Sequence, residues 1–403
     1  MRILHISTSL SGGAGIAARR ICEAQIDNGI DALILGGKIT DRIDKHEHET
    51  IYEKTLLRKS ISSFVTGVQQ KLVQIDDKLV TPISVNSLNI QNEIFSGINL
   101  VHIHAFYNML SIRMIKKLSQ SFPVVITLHD QRIFTGGCHY SFQCLGYESN
   151  CKRCPQVRIP LNFITELSLQ NTLSVLKNRR NITYLAPSQW LANCASKSIL
   201  LQGKTINVIA NPVPNVYRNL KDYENKSSEL KIGFFSQDLN NPYKGINTLV
   251  SAAHILKAVM QIEIKFYGNG KVNQVMDGIN YTQGHYNNNY SAVEAYNSCD
   301  VVVVPSTQDN SPSVISEALM CGVPVIGSDV GGIPEILNKF GLPTIEPNNP
   351  QLLANKLIDF VTKTPNDDLI SRANELFSYK ASSDSHLRIY NSSLLNFKPN
   401  SVE

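Results

Sequence analysis

The chain has 403 residues, of which 42% are hydrophobic and 18% charged, with Gly 23 and Pro 17. At about 150 residues per domain this is ordinary globular usage for two or three domains, and it excludes disordered, collagen-like and coiled-coil architectures. A net charge of +5 is too small to be a nucleic-acid footprint, and no stretch approaches the roughly 18 apolar residues of a membrane span.

The N-terminus, Met1–Ile6, turns polar at Ser7 and lacks the apolar centre of a signal peptide, so a cytoplasmic protein is expected. Short apolar runs follow at Ile3–Ile6, Ala32–Leu35, Leu100–Ile103, Val124–Leu128, Ile182–Ala186 and Val208–Ala210. They continue at Ile232–Phe235, Ile262–Tyr267, Val301–Val304 and Val323–Ile326. Runs of this length, bounded by Gly, Asn, Ser or Pro, predict strands buried on both faces. Amphipathic segments such as Ile16–Ile26, Gly245–Leu256 and Ser291–Ser298 predict helices between them. The alternation predicts an α/β protein with parallel sheets.

Pro212 and Pro214, followed by the polar stretch Arg218–Glu229, read as a linker. The expected organisation is a first domain over 1–212, a second over 213–382, and a C-terminal helix and tail over 383–403 that can return to the first domain.

A glycine-rich turn, Ser11–Gly15, follows the first strand and precedes a helix. There the amides of Gly12 and Gly13 can approach an anion closely, although a tight turn that binds nothing has the same sequence. The spacing is not that of a dinucleotide fingerprint.

Of the cysteines, Cys22, Cys194, Cys299 and Cys321 stand singly among apolar or small neighbours and are expected as buried small hydrophobes. Cys138, Cys144, Cys151 and Cys154 crowd together and can supply four thiolates to a structural zinc. Two disulfides, disfavoured in a reducing compartment, or four free thiols are the alternatives. Leu57, Ile61, Phe64, Val68 and Leu72 recur at helical spacing with Lys54, Arg58, Lys59 and Lys71 nearby. Such a stripe either faces a core or lies on a membrane surface.

The most informative stretch runs from Asp300 to Glu335. A buried strand, Val301–Val304, delivers a polar loop, and a helix is expected to start with Ser311 as N-cap and Pro312 at its first position. Asp309 lies on the loop and Glu317 one to two turns into the helix. Ionised carboxylates there can accept hydrogen bonds from sugar hydroxyls.

With Pro305 and Ser306 before it and Gly322, Gly331 and Gly332 after, the Asp309/Glu317 pair resembles the signature of glycosyltransferase family 4. Ser7–Gly15, Thr127–Asp130 with Phe134–Cys138, Ala186–Trp190, Ile209–Pro212 and Asn241–Gly245 extend the resemblance over most of the chain. The Thr127–Cys138 region is similar to the colanic-acid and exopolysaccharide branch. Asp309 stands where family members usually have Glu, and no Arg occurs between Lys231 and Lys244, where many have one.

The resemblance implies a GT-B fold, with two Rossmann-like domains facing across a cleft, and retaining transfer from a nucleotide sugar, UDP being the commoner nucleotide. The acceptor is implied to be a glycan or lipid-diphosphate-linked glycan of a surface polysaccharide such as an exopolysaccharide, O-antigen or capsule. That acceptor would place the enzyme at the inner face of the cell membrane as a peripheral protein. By the same resemblance Lys244 with the Gly12 and Gly13 amides would stabilise the leaving diphosphate, Glu317 the ribose, and Asp309 the donor sugar, with Asn310 and Ser311 beside it. His129 would lie by the donor sugar, and Gly268 and His285 beside the nucleotide. No cofactor is implied for catalysis, and nucleic acid is not an expected partner. A GT-B nucleotide-sugar epimerase and an inactive nucleotide- or glycan-binding scaffold are the competing readings.

Overall fold

The computed structural model describes residues 1–36, 49–51, 64–65, 67–69, 71, 75, 80–84, 93–220, 229–361 and 368–399. The chain forms two compact units, Met1–Ala210 with Ser382–Glu403, and Asn211–Ala381.

The first unit is built from β1 (Arg2–Ser7), α1 (Gly12–Asp27), β2 (Asp31–Gly36), β3 (Glu49–Ile51), β4 (Leu100–Ile103) and α2 (Ile112–Ser121). It continues through β5 (Val124–Thr127), α3 (Phe163–Leu176), β6 (Ile182–Ala186), α4 (Gln189–Lys197) and β7 (Ile206–Val208). These strands form one parallel sheet in the order β3-β2-β1-β4-β5-β6-β7.

The second unit comprises β8 (Leu230–Asp238), α5 (Ile246–Leu256), β9 (Ile262–Asn269), β10 (Asn280–Gly284), α6 (Asn289–Asn297) and β11 (Val301–Val304). Then come α7 (Ser313–Met320), β12 (Val325–Ser328), α8 (Ile333–Lys339), β13 (Thr344–Ile345), α9 (Pro350–Val361) and α10 (Leu369–Phe377). Its parallel sheet runs β10-β9-β8-β11-β12-β13. The last helix, α11 (Tyr379–Leu395), belongs from Ser382 onward to the first unit.

Both sheets have the doubly wound order of a Rossmann-like fold. The strand order reverses between β1 and β4 in one and between β8 and β11 in the other. At such a point consecutive crossovers leave on opposite faces, so the loops after the two strands part and leave a crevice.

The period-two alternation of side chains sorts the first sheet into two cores. Leu4, Ile6, Val101, Ile103, Val124 and Ile126 pack on one face. Ile3, Leu100 and Val125 pack on the other, beneath Ala18 and Cys22 of α1 and Tyr390 of α11. His5, His102 and Thr127 keep the same alternation and therefore lie on the α1/α11 face. Each is buried.

Several expectations need correcting. The strand placed at Val208–Ala210 is Ile206–Val208, and that placed at Val323–Ile326 is Val325–Ser328, because the polar Asn207 and Ser328 are paired by neighbouring strands. Ser311 is not the N-cap of α7. Pro312 takes that position in an extended conformation (φ −67°, ψ 120°), its carbonyl accepting from Ile315 N, and no side chain caps the helix. Gly268 lies near the end of β9 at φ +154°, where a Cβ would stand 1.9 Å from the Ser236 carbonyl oxygen. Cys22, Cys299 and Cys321 are buried, whereas Cys194 on α4 is half-exposed.

Of the amphipathic stripe, Leu57, Ile61 and Leu72, with Lys54, Arg58 and Lys59, lie outside the described residues. Phe64 is 72% exposed and Val68 half-buried. Among the described residues no helix is long and apolar enough to cross a membrane.

Candidate active site

In the second unit the loops that leave β8 and β11 meet at the switch point. The first ends in a short 3-10 turn, Pro242–Lys244, begun by Asn241, whose side chain accepts from Tyr243 N, and closed by Gly245 in the left-handed region. The second loop is tied to it by Thr307 N, which donates to the Tyr243 carbonyl at 2.8 Å. Lys244 and Asp309 are thereby joined: Nζ donates to Oδ2 at 2.7 Å. Asp309 is buried at 6% exposure, and its other oxygen accepts from Asn310 N at 2.9 Å. A third loop presses on this one. Gly331 has φ +58°, and a Cβ there would stand 1.6 Å from the Asp309 carbonyl oxygen.

Glu317, on α7, is held separately. The Tyr296 hydroxyl donates to its Oε2 at 2.6 Å. Tyr296 is fixed by stacking on Phe235 (centroids 4.1 Å apart), which stacks in turn on Tyr267 at 4.8 Å. Such stacks contribute about 0.5–1.5 kcal/mol each beyond area burial, so β8, β9 and α6 together orient this carboxylate. Asn310 is buried and Ser311 half-buried on the same loop, while His285 is exposed just past β10.

In the first unit the glycine turn follows β1. Gly12 opens α1 with φ +74°, and a Cβ on Gly13 would meet nothing within 4 Å. The turn is braced by Thr8, which donates from its backbone to Ala105 O and from its hydroxyl to Tyr107 O, both at 2.7 Å. The first turn of α1 contains no acidic residue, so its outward amides and dipole favour an anion.

His129, two residues past β5, is half-buried and lies 3.0 Å (Nε2) from His104 Nδ1. His104 Nε2 lies 3.0 Å from His5 Nδ1, and His5 Nε2 lies 2.9 Å from Gln25 Oε1. Burial pulls the His129 imidazole down to about 4, against Asp130, and that of His5 to about 3, against its Gln25 hydrogen bond. Burial also drives His102 and His104 well below the ordinary range. These rings are neutral at neutral pH.

Asp130 does not share the chain. Burial disfavours its carboxylate, but His139, whose Nδ1 donates to it at 2.6 Å, outweighs that and holds it below the usual range. Arg132, buried behind, donates to the Thr81 hydroxyl and carbonyl.

His5, His102 and His104 have ligand atoms within 4.8 Å of one another. Their nitrogens are engaged with each other and with Gln25, Tyr390, Thr127 and His129, as a hydrogen-bonded chain rather than a converging ligand set.

Cys138, Cys144, Cys151 and Cys154 line one small pocket and form no disulfide. Gly136 N donates to Cys151 Sγ at 3.2 Å and Gly146 N to Cys144 Sγ at 3.4 Å. Phe142, Cys151 and Arg153 all take positive φ (53°, 56° and 57°) in this segment. Burial pushes the Cys138 thiol well up and that of Cys151 to about 12.

The structure thus brings Lys244 to Asp309, and sets Glu317 against Tyr296 and His129 against His104. Sequence reasoning missed Gln25, Tyr390 and the paired histidines. Two histidines alternating in the apolar run Leu100–His104 were the available signal, since a buried strand admits imidazoles only with partners.

Comparisons with known proteins bear on the fold. Residues 229–363 match the family described as Glycosyl transferases group 1. Over 271 residues the chain is 25% identical to the putative colanic acid biosynthesis glycosyl transferase WcaC of Escherichia coli (strain K12), a stretch covering 62% of this chain and 64% of that one. It is 24% identical over 260 residues to an uncharacterised glycosyltransferase of Methanocaldococcus jannaschii, covering 60% and 70%. Among solved structures it is similar to a sucrose-phosphate synthase from Thermosynechococcus elongatus (TM-score 0.65, 17% identity, 97% of this chain and 98% of that). It is equally similar to Anabaena HepE, solved in complex with UDP (TM-score 0.65, 16% identity, 97% and 100%). The fold is of the GT-B class, and the stretch that matches the group 1 glycosyl transferases lies within the second unit.

Proposed function

We propose that the chain is a retaining glycosyltransferase of family 4 that moves a sugar from a UDP-sugar to a glycan or lipid-diphosphate-linked acceptor of a bacterial surface polysaccharide, working at the cytoplasmic face of the membrane. The observation that carries this reading is the contact of Lys244 with Asp309 at the switch point of the second unit. It sets a cation and a buried carboxylate side by side where open α/β sheets bind ligands. In this reading the arriving diphosphate takes over the Lys244 ammonium, and Asp309, released from it, accepts from hydroxyls of the donor sugar. Glu317 accepts from the ribose hydroxyls with its remaining capacity, Tyr296 holding the carboxylate in place. A preorganised cation at the leaving oxygen favours bond cleavage because charge develops there. The first unit holds the acceptor, with His129 and the Gly12 and Gly13 amides as its candidate polar groups. The similarity to a colanic acid transferase and to a UDP-bound structure supports the acceptor class and the nucleotide.

A thermal-shift panel of UDP, GDP, ADP, TDP and CMP with NAD as control tests the donor. UDP alone is expected to raise Tm, since a ligand that binds only the folded state stabilises it by mass action. Labelled UDP-sugar incubated with membranes bearing lipid-linked glycan should then label the lipid extract. Interconversion of the free nucleotide sugar without acceptor would instead identify an epimerase. Binding with neither transfer nor donor hydrolysis would identify a scaffold.

The four clustered cysteines are proposed to hold a structural zinc. The donor set is all sulfur, two sulfurs accept backbone N–H bonds, and the segment holds non-glycine residues at positive φ that need an external constraint. Metal analysis of the purified protein is expected to give about one zinc per chain, lost together with thermal stability in Cys151→Ser. Metal-free protein from zinc-supplemented cells would end this assignment.

A further inference from the structure

The buried polar chain behind His129 has a directional consequence. From Gln25 it runs two ways. In one, the amide oxygen faces His5, then His104, then His129. In the other, the amide nitrogen donates to the Tyr390 hydroxyl at 2.7 Å, which lies 2.7 Å from His102 Nδ1. His102 Nε2 lies 2.7 Å from the Thr127 hydroxyl. A neutral imidazole has one donor and one acceptor nitrogen. Once one end of such a series is set, every member is set.

We propose that Gln25, held by Tyr390 of the C-terminal helix, is a positioning residue that sets the tautomer of His129 through His5 and His104. The steps follow from the amide. Its oxygen accepts, so His5 Nε2 carries the proton and Nδ1 does not. His104 must then donate from Nε2 to His5 Nδ1, and His129 from Nε2 to His104 Nδ1. His129 Nδ1 then carries no proton. On the other arm the amide N–H saturates a Tyr390 lone pair, so the hydroxyl donates to His102 Nδ1 and His102 Nε2–H donates to Thr127. All four rings share the Nε2–H tautomer. Rotating the amide reverses every donor together and converts all four to Nδ1–H, so no ring can change alone without stranding a buried polar atom.

A bare Nδ1 accepts a hydrogen bond and cannot give one. That His129 takes part in transfer rests on the transferase reading above, whereas the relay itself does not. The same relay joins α11 to α1 within the first unit. Tyr390 is fully buried and supplies the hydroxyl that orients the Gln25 amide.

The test is a long-range 1H–15N correlation spectrum of the ligand-free protein with labelled histidine at neutral pH. His5, His102, His104 and His129 are expected as neutral Nε2–H rings. Four uniform rings of either tautomer support the coupling, and a mixed set or a charged ring in the parent protein overturns it. Gln25→Glu offers acceptors only. It should keep His129 as Nε2–H and switch His102 to Nδ1–H, an outcome that loss of packing does not produce. Tyr390→Phe keeps the ring and removes the hydroxyl. It should leave a mixture at His129, and an unchanged His129 there overturns the role of Tyr390.

Activity separates the two readings. If the His129 tautomer shifts in Tyr390→Phe and kcat falls in proportion to the lost Nε2–H fraction at little change in donor KM, both stand. If the tautomer shifts and transfer does not change, the relay stands and His129 has no part in transfer.

Discussion

Replacing Lys244 by alanine is expected to lower kcat/KM for transfer by about 10²- to 10³-fold, the usual effect of deleting one preorganised stabiliser of a developing anion. The substitution also leaves Asp309 with hydrogen bonds from Asn310 N–H at 2.9 Å and, at a marginal 3.5 Å, the Ser306 hydroxyl. A buried carboxylate deprived of its cation is destabilising, but Lys244 is itself 29% exposed, so water screens part of the loss. A stability cost of about 1–2 kcal/mol is the appropriate scale. Asp309→Asn should act differently, because it frees the ammonium: UDP alone should bind as tightly or more tightly, while transfer falls. The double variant measures the coupling of the two side chains. Lys244→Ala with kcat/KM within about twofold of the parent would remove this lysine from the leaving-group site.

Gly331→Ala is expected to have the largest effect on the second unit's stability, about 2–4 kcal/mol, and to abolish nucleotide binding. Two costs combine. At φ +58° any L side chain is strained, and the added Cβ would stand 1.6 Å from the Asp309 carbonyl oxygen. Backbone cannot rotate away as a flexible side chain can, so the Ser306–Ser311 loop must move, carrying Asp309 off Lys244. Gly341→Ala is the control. It has φ +65° but nothing within 4 Å of its Cβ, and should lose only about 1–2 kcal/mol of dihedral strain. Circular dichroism in a urea series measures both. The single tryptophan, Trp190, lies in the first unit and would not report on the second. Equal losses in the two variants would show that the collision is relieved at no cost.

Much of the fold was legible because buried parallel strands are written as apolar runs. Leu100–Ile103, Ile182–Ala186 and Val301–Val304 are observed with those bounds. β10, Asn280–Gly284, was not legible: it is an edge strand with an exposed surface, and such a strand needs no apolar signal. β13 has only two residues, fewer than any periodicity requires. At the candidate site, Lys244, Asp309 and Glu317 stand out by local motif and His129 by its place after a strand.

By itself the sequence determined which apolar runs become buried strands and which residue types stand at their ends, since both depend on side chains near in the chain. Only the tertiary structure decided what those residues touch. Lys244 and Asp309 are 65 positions apart and meet because β8 and β11, not consecutive in the chain, are neighbours in the sheet. Gln25 and Tyr390 are separated by 365 positions and meet because the last helix packs on the first unit. Strand order and the return of α11 are properties of how whole elements bury their faces together. No local pattern of residues encodes them.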